Sequence, residues 1–283
     1  FYTVSLTAEN PAGNDTETKN TYIEVYAPVT VEITSPADQA RFETRTINIL
    51  GVVNDASITE ATITVNGSSS TTPVYDGSFN QQVNIFEGEN TISVQAGNPA
   101  YSDSDTITVY GDIPQVDIRT KLTWDTIDDD FDSHLIWPQS EEYWTFYIYS
   151  PYDCYYGDDY PDWDESTDLS SGDPVLDIDD TNGYGPEYIT LVDVPADGRY
   201  WFFVHYYSDD SPVEGATATA EIWINGQLAG TFSRLMQDNY IWECAYIDWA
   251  DNSGTVHAGP EDAYYHEDDM LTYHGGGEWL PER

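Results

Sequence analysis

Hydrophobic and polar residues alternate along most of this chain, and a period of two predicts β-strands rather than helices. The opening FYTVSLTAEN places Tyr2, Val4 and Leu6 on one face of a strand and mainly hydroxyl side chains on the other. The following PAGND is typical of a turn, and TYIEVY supplies a second strand. Residues 1–28 are therefore predicted to form a terminal hairpin.

The centre of the chain continues this alternation in short segments. Residues 29–111 contain ATITVNG, DGSFNQQVNIF and EGENTISVQAGN, whose Asn-Gly, Asp-Gly and Glu-Gly pairs recur at intervals suited to a β-sandwich. Residues 112–256 add further strand candidates, including YWTFYIY at 143–149, and none has helical periodicity beyond one turn. The predicted fold class is all-β, with tandem Ig-like or β-sandwich domains at 29–111 and 112–256 and a polar tail at 257–283.

Two aspartate-rich stretches carry the candidate chemistry, DDDFDSHLIWP from Asp128 and LDIDDTNGYGPE from Leu176. If the first is extended, Phe131 and Leu135 face a core while Asp132 and His134 face the other side. Carboxylates this dense repel one another unless cations lie between them, and calcium takes about six to eight oxygen ligands in a flexible shell. The sequence therefore predicts a calcium site made of Asp128, Asp130, Asp132, Asp177, Asp179 and Asp180.

The alternative for these aspartates is a solvated acidic face, which an acidic chain forms without any ion. The rhythm of Asp128, Asp130 and Asp132 matches the start of an EF-hand loop, but Ser133 stands where the EF-hand has glycine, so the site is not an EF-hand. His134 and His205 are secondary metal-site candidates, because adjacent strands could bring them together beside Asp132. The alternative is that each imidazole hydrogen-bonds a carboxylate or a backbone carbonyl.

Several rare segments carry a family resemblance. DFDSHLIWP, LDIDDTNGYGPEYITL, GRYWFFVHYYSDD and IWECAYIDW resemble the YfaP-like family of secreted β-sandwich domains over about residues 116–250. ITSPAD, VNG, DGSF and EGENTISVQA resemble the Ig-like modules related to domain B of glucodextranase, and YTVSLTAENPAG resembles the last two strands of a PKD-type domain. These resemblances imply tandem sandwiches in an extracellular or cell-surface setting, and they imply no reaction. For 29–111 the alternatives are a spacer and a sugar-binding module.

Cys154 and Cys244 are the two cysteines of the chain. In a secreted protein a lone pair most simply forms one disulfide, which here closes a loop of about 90 residues and contributes on the order of 4 kcal/mol. The alternative is two unpaired buried thiols. No CxxC-like pair is present for zinc.

Net charge changes the expected partners. The chain has 52 acidic residues against 8 Lys plus Arg, a formal net charge of −44, and 31 of the acidic residues fall in 112–256. Such a surface repels phosphate, so nucleic acid and anionic membranes are excluded as partners, whereas cations are favoured. No apolar stretch reaches the length of a membrane-spanning helix and no signal peptide is visible. The start at Phe1 fits a processed product or a segment of a longer polypeptide.

Catalysis has little support in the sequence. Paired acids could serve a glycosidase, but no GxSxG, HExxH or P-loop motif is present, so an enzyme is not predicted. The main functional hypothesis is a calcium-stabilised structural subunit of a surface filament, sheath or layer. The alternative is an adhesin or carbohydrate-binding accessory module that recognises surface glycans.

Self-assembly is expected through the two ends of the chain. The hairpin at 1–28 would expose unpaired strand edges and an apolar face, and such edges pair with other chains. A head-to-tail contact of this kind does not close, so it produces an open polymer of copies of this chain. The rival explanation is that the missing strands of the domain lie upstream. The tail offers candidate anchors, namely Tyr264, Tyr265, Met270, Leu271, Trp279 and Leu280.

Overall fold

The computed structural model describes residues 1–138, 152–164, 172–181, 183–209, 214–261 and 264–266. In these ranges the regular elements are strands, and the predicted all-β class is confirmed. None of the described residues belongs to a helix with the length and apolar character needed to cross a membrane. The predicted strand at 143–149 lies outside the described residues, as does most of the tail, including Met270, Leu271, Trp279 and Leu280.

The N-terminal hairpin consists of β1 (Tyr2–Asn10) and β2 (Gly13–Ile23), paired antiparallel. One face carries cross-strand hydroxyl pairs, Ser5 with Thr18 and Thr7 with Thr16, each at 2.8 Å between oxygens. The opposite face carries the apolar side chains predicted from the alternation. Every residue of both strands is exposed, Leu6 at 72%. The hairpin therefore presents a bare apolar face.

Residues 29–113 form the first sandwich, called here the spacer sandwich. Its two sheets run in the orders β3-β5-β8 and β4-β10-β9-β6-β7. Alternating residues such as Ile49, Ile63 and Ile92 are fully buried between them. The strands are β3 (Val31–Ser35), β4 (Ala40–Phe42), β5 (Thr46–Val53), β6 (Glu60–Val65), β7 (Ser68–Pro73), β8 (Ser78–Asn84), β9 (Gly88–Gly97) and β10 (Ser102–Gly111).

The remaining strands form the second sandwich, called here the acidic sandwich. Its sheets run in the orders β14-β15-β11-β17-β18 and β13-β12-β16-β19-β20, with β21 also pairing β19. The core between the sheets is aromatic and aliphatic. The strands are β11 (Ile118–Trp124), β12 (Asp130–Ile136), β13 (Asp153–Cys154), β14 (Pro174–Ile178), β15 (Glu187–Leu191), β16 (Gly198–Ser208), β17 (Ala216–Ile224), β18 (Gln227–Met236), β19 (Tyr240–Ala250), β20 (Ser253–Ala258) and β21 (Tyr264–His266).

The start of the predicted tail belongs to this sandwich. β20 runs across residue 256, where the sequence suggested a boundary, and pairs with β19 up to Ala258 opposite Ala245. β21 then pairs with the beginning of β19, Tyr264 opposite Trp242. Tyr264 stacks on Tyr240 with ring centroids 4.6 Å apart. One of the candidate assembly anchors, Tyr264, thus packs against its own domain.

The two sandwiches are fastened together by cations from β11. Arg119 is buried, donates to the backbone oxygen of Ile85 at 2.9 Å and lies 3.8 Å from the ring centroid of Phe86. Lys121 donates to the Ser68 hydroxyl and to the Ser69 backbone oxygen, each at 2.8 Å. We call this contact surface the joint. It buries Arg119 and Lys121 on the outer face of β11.

Candidate metal centre

The centre of the candidate site is β12, whose two faces differ in chemistry as the alternation predicts. Phe131 and Leu135 pack in the aromatic core. Asp132 lies opposite His205 of β16 in the antiparallel register. The imidazoles of His134 and His205 are neighbours, with ring centroids 6.3 Å apart and planes tilted by 49°. Adjacent strands therefore do bring the two histidines together beside Asp132, as the sequence suggests.

Glu187 adds a carboxylate at the edge of β12 that lies opposite β16. β13 pairs only with Leu135 and Ile136, so it leaves the earlier part of this edge to other groups. Glu187, the first residue of β15, accepts a hydrogen bond from the Ser133 backbone N–H at 2.7 Å. Ile189 and Leu191 on the same face of β15 point into the core. Strand geometry therefore directs the Glu187 carboxylate inward as well.

Asp132, Asp179 and Glu187 form a compact group of carboxylates. One oxygen from each lies within 4.8 Å of the others. Asp132 and Glu187 are buried, while Asp179 is exposed and closes the group from the solvent side. Asp132 Oδ2 and Glu187 Oε1 are buried and have no hydrogen-bond partner within the described part of the chain. Buried acceptors without donors are costly, so this arrangement favours an added cation or proton.

The pKa values of these carboxyl groups also favour an added cation or proton. Burial raises the pKa of Asp132 to about 7, an effect that His134 opposes and that Asp130 and Asp179 reinforce. Burial also raises the pKa of Glu187, and the charges of Asp132 and Asp179 add to it. Without a cation the group therefore holds protons more tightly than ordinary carboxyls do. A bound metal ion would replace those protons.

The two histidines have different environments. His134 Nδ1 lies 2.7 Å from Asp153 Oδ2, and its ring stacks on Tyr155. Burial disfavours the charged imidazole, but Asp153 outweighs burial and raises the pKa of His134. Burial and the neighbouring His134 lower the pKa of His205 to about 3. The hydrogen bond to Asp153 is the non-metal alternative that the sequence left open, and it accounts for one nitrogen of His134.

Among the six aspartates predicted from the sequence, the structure gathers Asp132 and Asp179 into the carboxylate group. Asp130 lies beside Asp132 and reinforces the rise in its pKa. Asp128 is exposed at a left-handed turn, with φ of 69°. Asp180 is half-buried beside Gly183 and is not part of the three-carboxylate group.

Asp177 lies elsewhere, and its assignment to the cluster is wrong. On β14 it points away from the core-facing Leu176. Its Oδ2 accepts hydrogen bonds from Asn84 of the spacer sandwich at 2.9 Å and from Thr190 at 2.7 Å. Strand alternation turns this side chain toward the joint, so its carboxylate is already occupied.

Sequence reasoning missed Glu187 and Asp153. Glu187 sits within the second acidic stretch, at the start of EYITL, where an inward-facing position normally holds an apolar residue. A carboxylate at a strand position that normally holds an apolar side chain was the feature of the sequence that could have identified Glu187. Asp153 precedes Cys154 in a two-residue strand and has no such signal.

The predicted disulfide is also wrong. Cys154 and Cys244 are both buried and unbonded, and Cys154 donates to the backbone oxygen of Asp159 at 3.7 Å. Their strands β13 and β19 are separated by β12 and β16, which amounts to three strand spacings of about 4.8 Å each. A disulfide requires Cα atoms within about 7 Å. Burial raises the pKa of both thiols well above the usual range, so they are inert core residues.

Comparison with known proteins finds a family match for the spacer sandwich. Residues 29–113 match the family described as glucodextranase, domain B. Among solved structures, an endo-beta-1,4-mannanase from Thermotoga petrophila is 16% identical with a TM-score of 0.28, over 34% of this chain and 22% of that one. Fibronectin(III)-like modules of CbhA from Clostridium thermocellum are 11% identical with a TM-score of 0.26, over 74% and 94%. A segment of titin is 11% identical with a TM-score of 0.28, over 83% and 74%. Likenesses of this size carry no inference about function.

Proposed function

We propose that this chain is a non-enzymatic extracellular structural module whose acidic sandwich is stabilised by calcium. The observation that carries the proposal is the group formed by Asp132, Asp179 and Glu187, in which Asp132 and Glu187 are buried and each has one oxygen without a hydrogen-bond donor among the described residues. The net charge of −44 suits an exported, cation-rich setting.

Calcium fits this group better than other ions do. The three side chains offer oxygen ligands, which calcium prefers, and a flexible shell tolerates one exposed and two buried carboxylates. Zinc or copper would need a nitrogen or sulfur set. His134 commits Nδ1 to Asp153, and neither histidine belongs to a described group whose ligand atoms all lie within 4.8 Å.

The test is a comparison of binding and unfolding with and without calcium. All nine tryptophans lie at or after Trp124, outside the spacer sandwich, and the seven at described positions belong to the acidic sandwich, so tryptophan fluorescence mainly follows the unfolding of that sandwich. We expect one calcium ion to bind at this group and to raise the unfolding midpoint at constant, moderate ionic strength. The variant Asp179→Asn should lose that ion and the part of the stabilisation that this ion provides. Equal midpoints in calcium and in EGTA would exclude the proposal.

A matched control removes the same charge at a distance. Asp251 is exposed, has φ of 53° and lies in the turn between β19 and β20, at the far end of β19 from His205. Asn tolerates this backbone conformation. Asp251→Asn should therefore keep the calcium response, which separates loss of a ligand from a general loss of negative charge.

We also propose that the module assembles with copies of itself through the N-terminal hairpin. Support comes from the exposure of Tyr2, Val4 and Leu6 along one face. Leu6→Asp should abolish concentration-dependent sedimentation, while Thr7→Asp on the hydroxyl face should leave it intact. Monomeric behaviour of the unmodified chain at all concentrations would contradict self-assembly.

A carbohydrate-binding module is the second candidate. It is favoured by an aromatic strip on the outer face of β16 and β19, where Trp201 lies 5.1 Å from Tyr246 and Arg199 lies 3.9 Å from the Tyr246 ring. Aromatic faces beside a guanidinium and a carboxylate suit sugar rings. Glycan-array binding that Tyr246→Ala removes, together with no sedimentation, would favour this function over assembly.

A further inference from the structure

A second group of carboxylates lies at the loop of residues 155–164, called here the acidic loop, away from the group already described. The loop is anchored by Trp163, whose ring is buried and makes an edge contact with Trp137 at 5.1 Å. The backbone N–H of Leu176 also donates to the oxygen of Asp159 at 2.9 Å. Asp162 and Asp164, on either side of Trp163, are exposed. The anchored tryptophan thus holds two flanking carboxylates at fixed positions.

Asp173 brings a third carboxylate to the same place. Its side chain is only 3% exposed. Oδ1 accepts hydrogen bonds from the backbone N–H groups of Trp163 at 2.6 Å and Asp164 at 3.3 Å. Oδ2 is buried and has no hydrogen-bond partner among the described residues. With Oδ1 committed to the backbone, Oδ2 is the oxygen left for a ligand.

The backbone allows this approach because residue 172 is glycine. Gly172 has φ of +84°, and a Cβ there would lie 2.4 Å from Asp164 Oδ2. Any other residue would push the Asp164 carboxylate away from the chain beside Asp173. The close approach costs electrostatic energy, since burial and the neighbouring Asp164 and Asp162 all raise the pKa of Asp173 against its two backbone hydrogen bonds.

The number and kind of ligands in the group indicate which ion it would bind. One oxygen from each of Asp162, Asp164 and Asp173 lies within 4.8 Å of the others. Calcium takes about six to eight oxygen ligands in a flexible shell, whereas magnesium is usually held by one or two carboxylates and keeps several waters, so three carboxylates favour calcium. The set contains only oxygen, so it suits a hard cation rather than a transition metal.

We propose that Asp162, Asp164 and Asp173 form a second calcium site, which shares no residue with the group at Asp132, Asp179 and Glu187. Its ion fastens the acidic loop to the start of β14. The site is independent of the proposed function, because either group can bind or fail to bind without the other.

The test counts calcium ions on the full chain by isothermal titration calorimetry. The exposed residue Asp164 is changed to Asn, so folding is preserved, and Asp162→Asn serves as a second variant. We expect two ions on the unmodified chain, one on each of these variants, one on Asp179→Asn and none on the double variant Asp164→Asn/Asp179→Asn. An unchanged count in both Asp164→Asn and Asp162→Asn overturns the second site and leaves the first intact. An unchanged count in Asp179→Asn counts against the first site alone.

Terbium luminescence locates the ion. Tb³⁺ replaces Ca²⁺ on oxygen ligands, and the measurement is made in the Asp179→Asn background, where only the second site remains. Trp163 lies between two of the proposed ligands, so excitation of tryptophan should sensitise the emission. Adding Trp163→Phe should reduce that emission while calorimetry still counts one calcium ion, and adding Asp164→Asn should remove both the emission and the ion. Sensitised emission that persists in Asp164→Asn/Asp179→Asn would place the ion elsewhere and overturn the proposal.

Discussion

Asn90 in the spacer sandwich and Glu187 in the acidic sandwich are both completely buried polar side chains, yet their surroundings differ. The Asn90 amide accepts from the Phe86 N–H and from Asn66, and donates to the backbone oxygens of Phe86 and Gly88. Glu187 accepts from Ser133 through one oxygen, and its other oxygen has no hydrogen-bond partner in the part of the chain that the structure describes. The spacer sandwich satisfies this buried residue internally.

The contrast extends to each sandwich as a whole. Buried polar residues of the spacer sandwich are neutral: Thr72, Gln81, Asn84 and Asn90. In the acidic sandwich most are ionisable: Arg119, Lys121, Asp129, Asp132, His134, Asp153, Asp173, Glu187, His205 and Glu243. Related sandwich folds therefore place very different electrostatic demands on their surroundings. Buried charge without internal compensation marks the part of the molecule that depends on an external ion.

The largest effect is expected for Glu187→Gln, which should destabilise the protein in excess calcium and stabilise it in EGTA. In excess calcium the variant loses the ion, and a site held at one hundred times its dissociation constant contributes about 2.7 kcal/mol. In EGTA the variant removes a buried carboxylate of raised pKa, so it should be more stable than the parent by about 1–3 kcal/mol. Urea unfolding followed by tryptophan fluorescence measures both. A loss of equal size in both conditions would show that Glu187 acts only through Ser133.

Asn90→Ala is the matched change in the spacer sandwich. It leaves buried backbone groups unpaired and should cost about 1–3 kcal/mol in calcium and in EGTA alike. Circular dichroism, which reports on both sandwiches, is the suitable measurement. A calcium-dependent cost would mean that the two sandwiches do not differ in the way described.

The joint is tested by Arg119→Ala. The change removes a buried guanidinium that bonds the Ile85 oxygen and covers Phe86, and it should cost about 2–3 kcal/mol. It should also separate the unfolding of the acidic sandwich, seen by tryptophan fluorescence, from that of the whole chain, seen by circular dichroism. A double-mutant cycle with Phe86→Leu isolates the contact between the two side chains. Coincident transitions in Arg119→Ala would show that the sandwiches are coupled by other contacts.

Lys121 makes the joint sensitive to pH. Burial lowers the pKa of Lys121 to about 8, although Glu221 opposes the shift. The folded pKa is below the unfolded value of 10.5, so between these values the unfolded chain holds a proton that the folded chain has released. Stability from this group therefore rises with pH in that window, by about 2 kcal/mol from about pH 7.5 to 9.5.

The control for this pH effect is Lys121→Met, because tyrosines and other groups also titrate in alkali. The free energy of unfolding of the parent minus that of Lys121→Met should rise by about 2 kcal/mol between about pH 7.5 and 9.5. A difference that stays constant would mean that Lys121 keeps an ordinary pKa in the folded protein.

The smallest effect is expected at the exposed charge pair of Arg199 and Asp248. The guanidinium lies 2.7 Å from the carboxylate, but both side chains are more than 40% exposed. Exposed pairs contribute about 0–1 kcal/mol, so Arg199→Gln should change stability by less than 1 kcal/mol, and less still at high salt. A larger loss would show that surface charge, as well as buried charge, distinguishes the acidic sandwich.

Local periodicity was enough to predict the strands and their faces. Phe131 and Leu135 turn inward and Asp132 and His134 outward because alternation along a strand is a property of the backbone itself. The meeting of His134 with His205 also followed, since a β-sandwich of short strands has few ways to arrange consecutive segments.

What alternation could not predict was the partner that covers each face. Asp177 turns outward as its position requires, but only the packing of the spacer sandwich reveals that Asn84 occupies its carboxylate. The choice of Cys154 and Cys244 as a disulfide failed for a related reason. Strand order is a long-range property, and two strands stand between them. Glu187 was missed because an inward-facing carboxylate contradicts the hydrophobic pattern.

The joint also has a mechanical consequence. Residues 24–28, which lead from the hairpin into the spacer sandwich, are exposed except for the half-buried Tyr26. Between the two sandwiches, by contrast, a force along the chain is resisted by the buried side chains of Arg119 and Lys121, which donate hydrogen bonds to backbone oxygens of the spacer sandwich. Under load, the segment before Val29 should reorient first, while the two sandwiches transmit the force as one stiff unit. A string of such units would bend at its hairpins and resist bending at its joints.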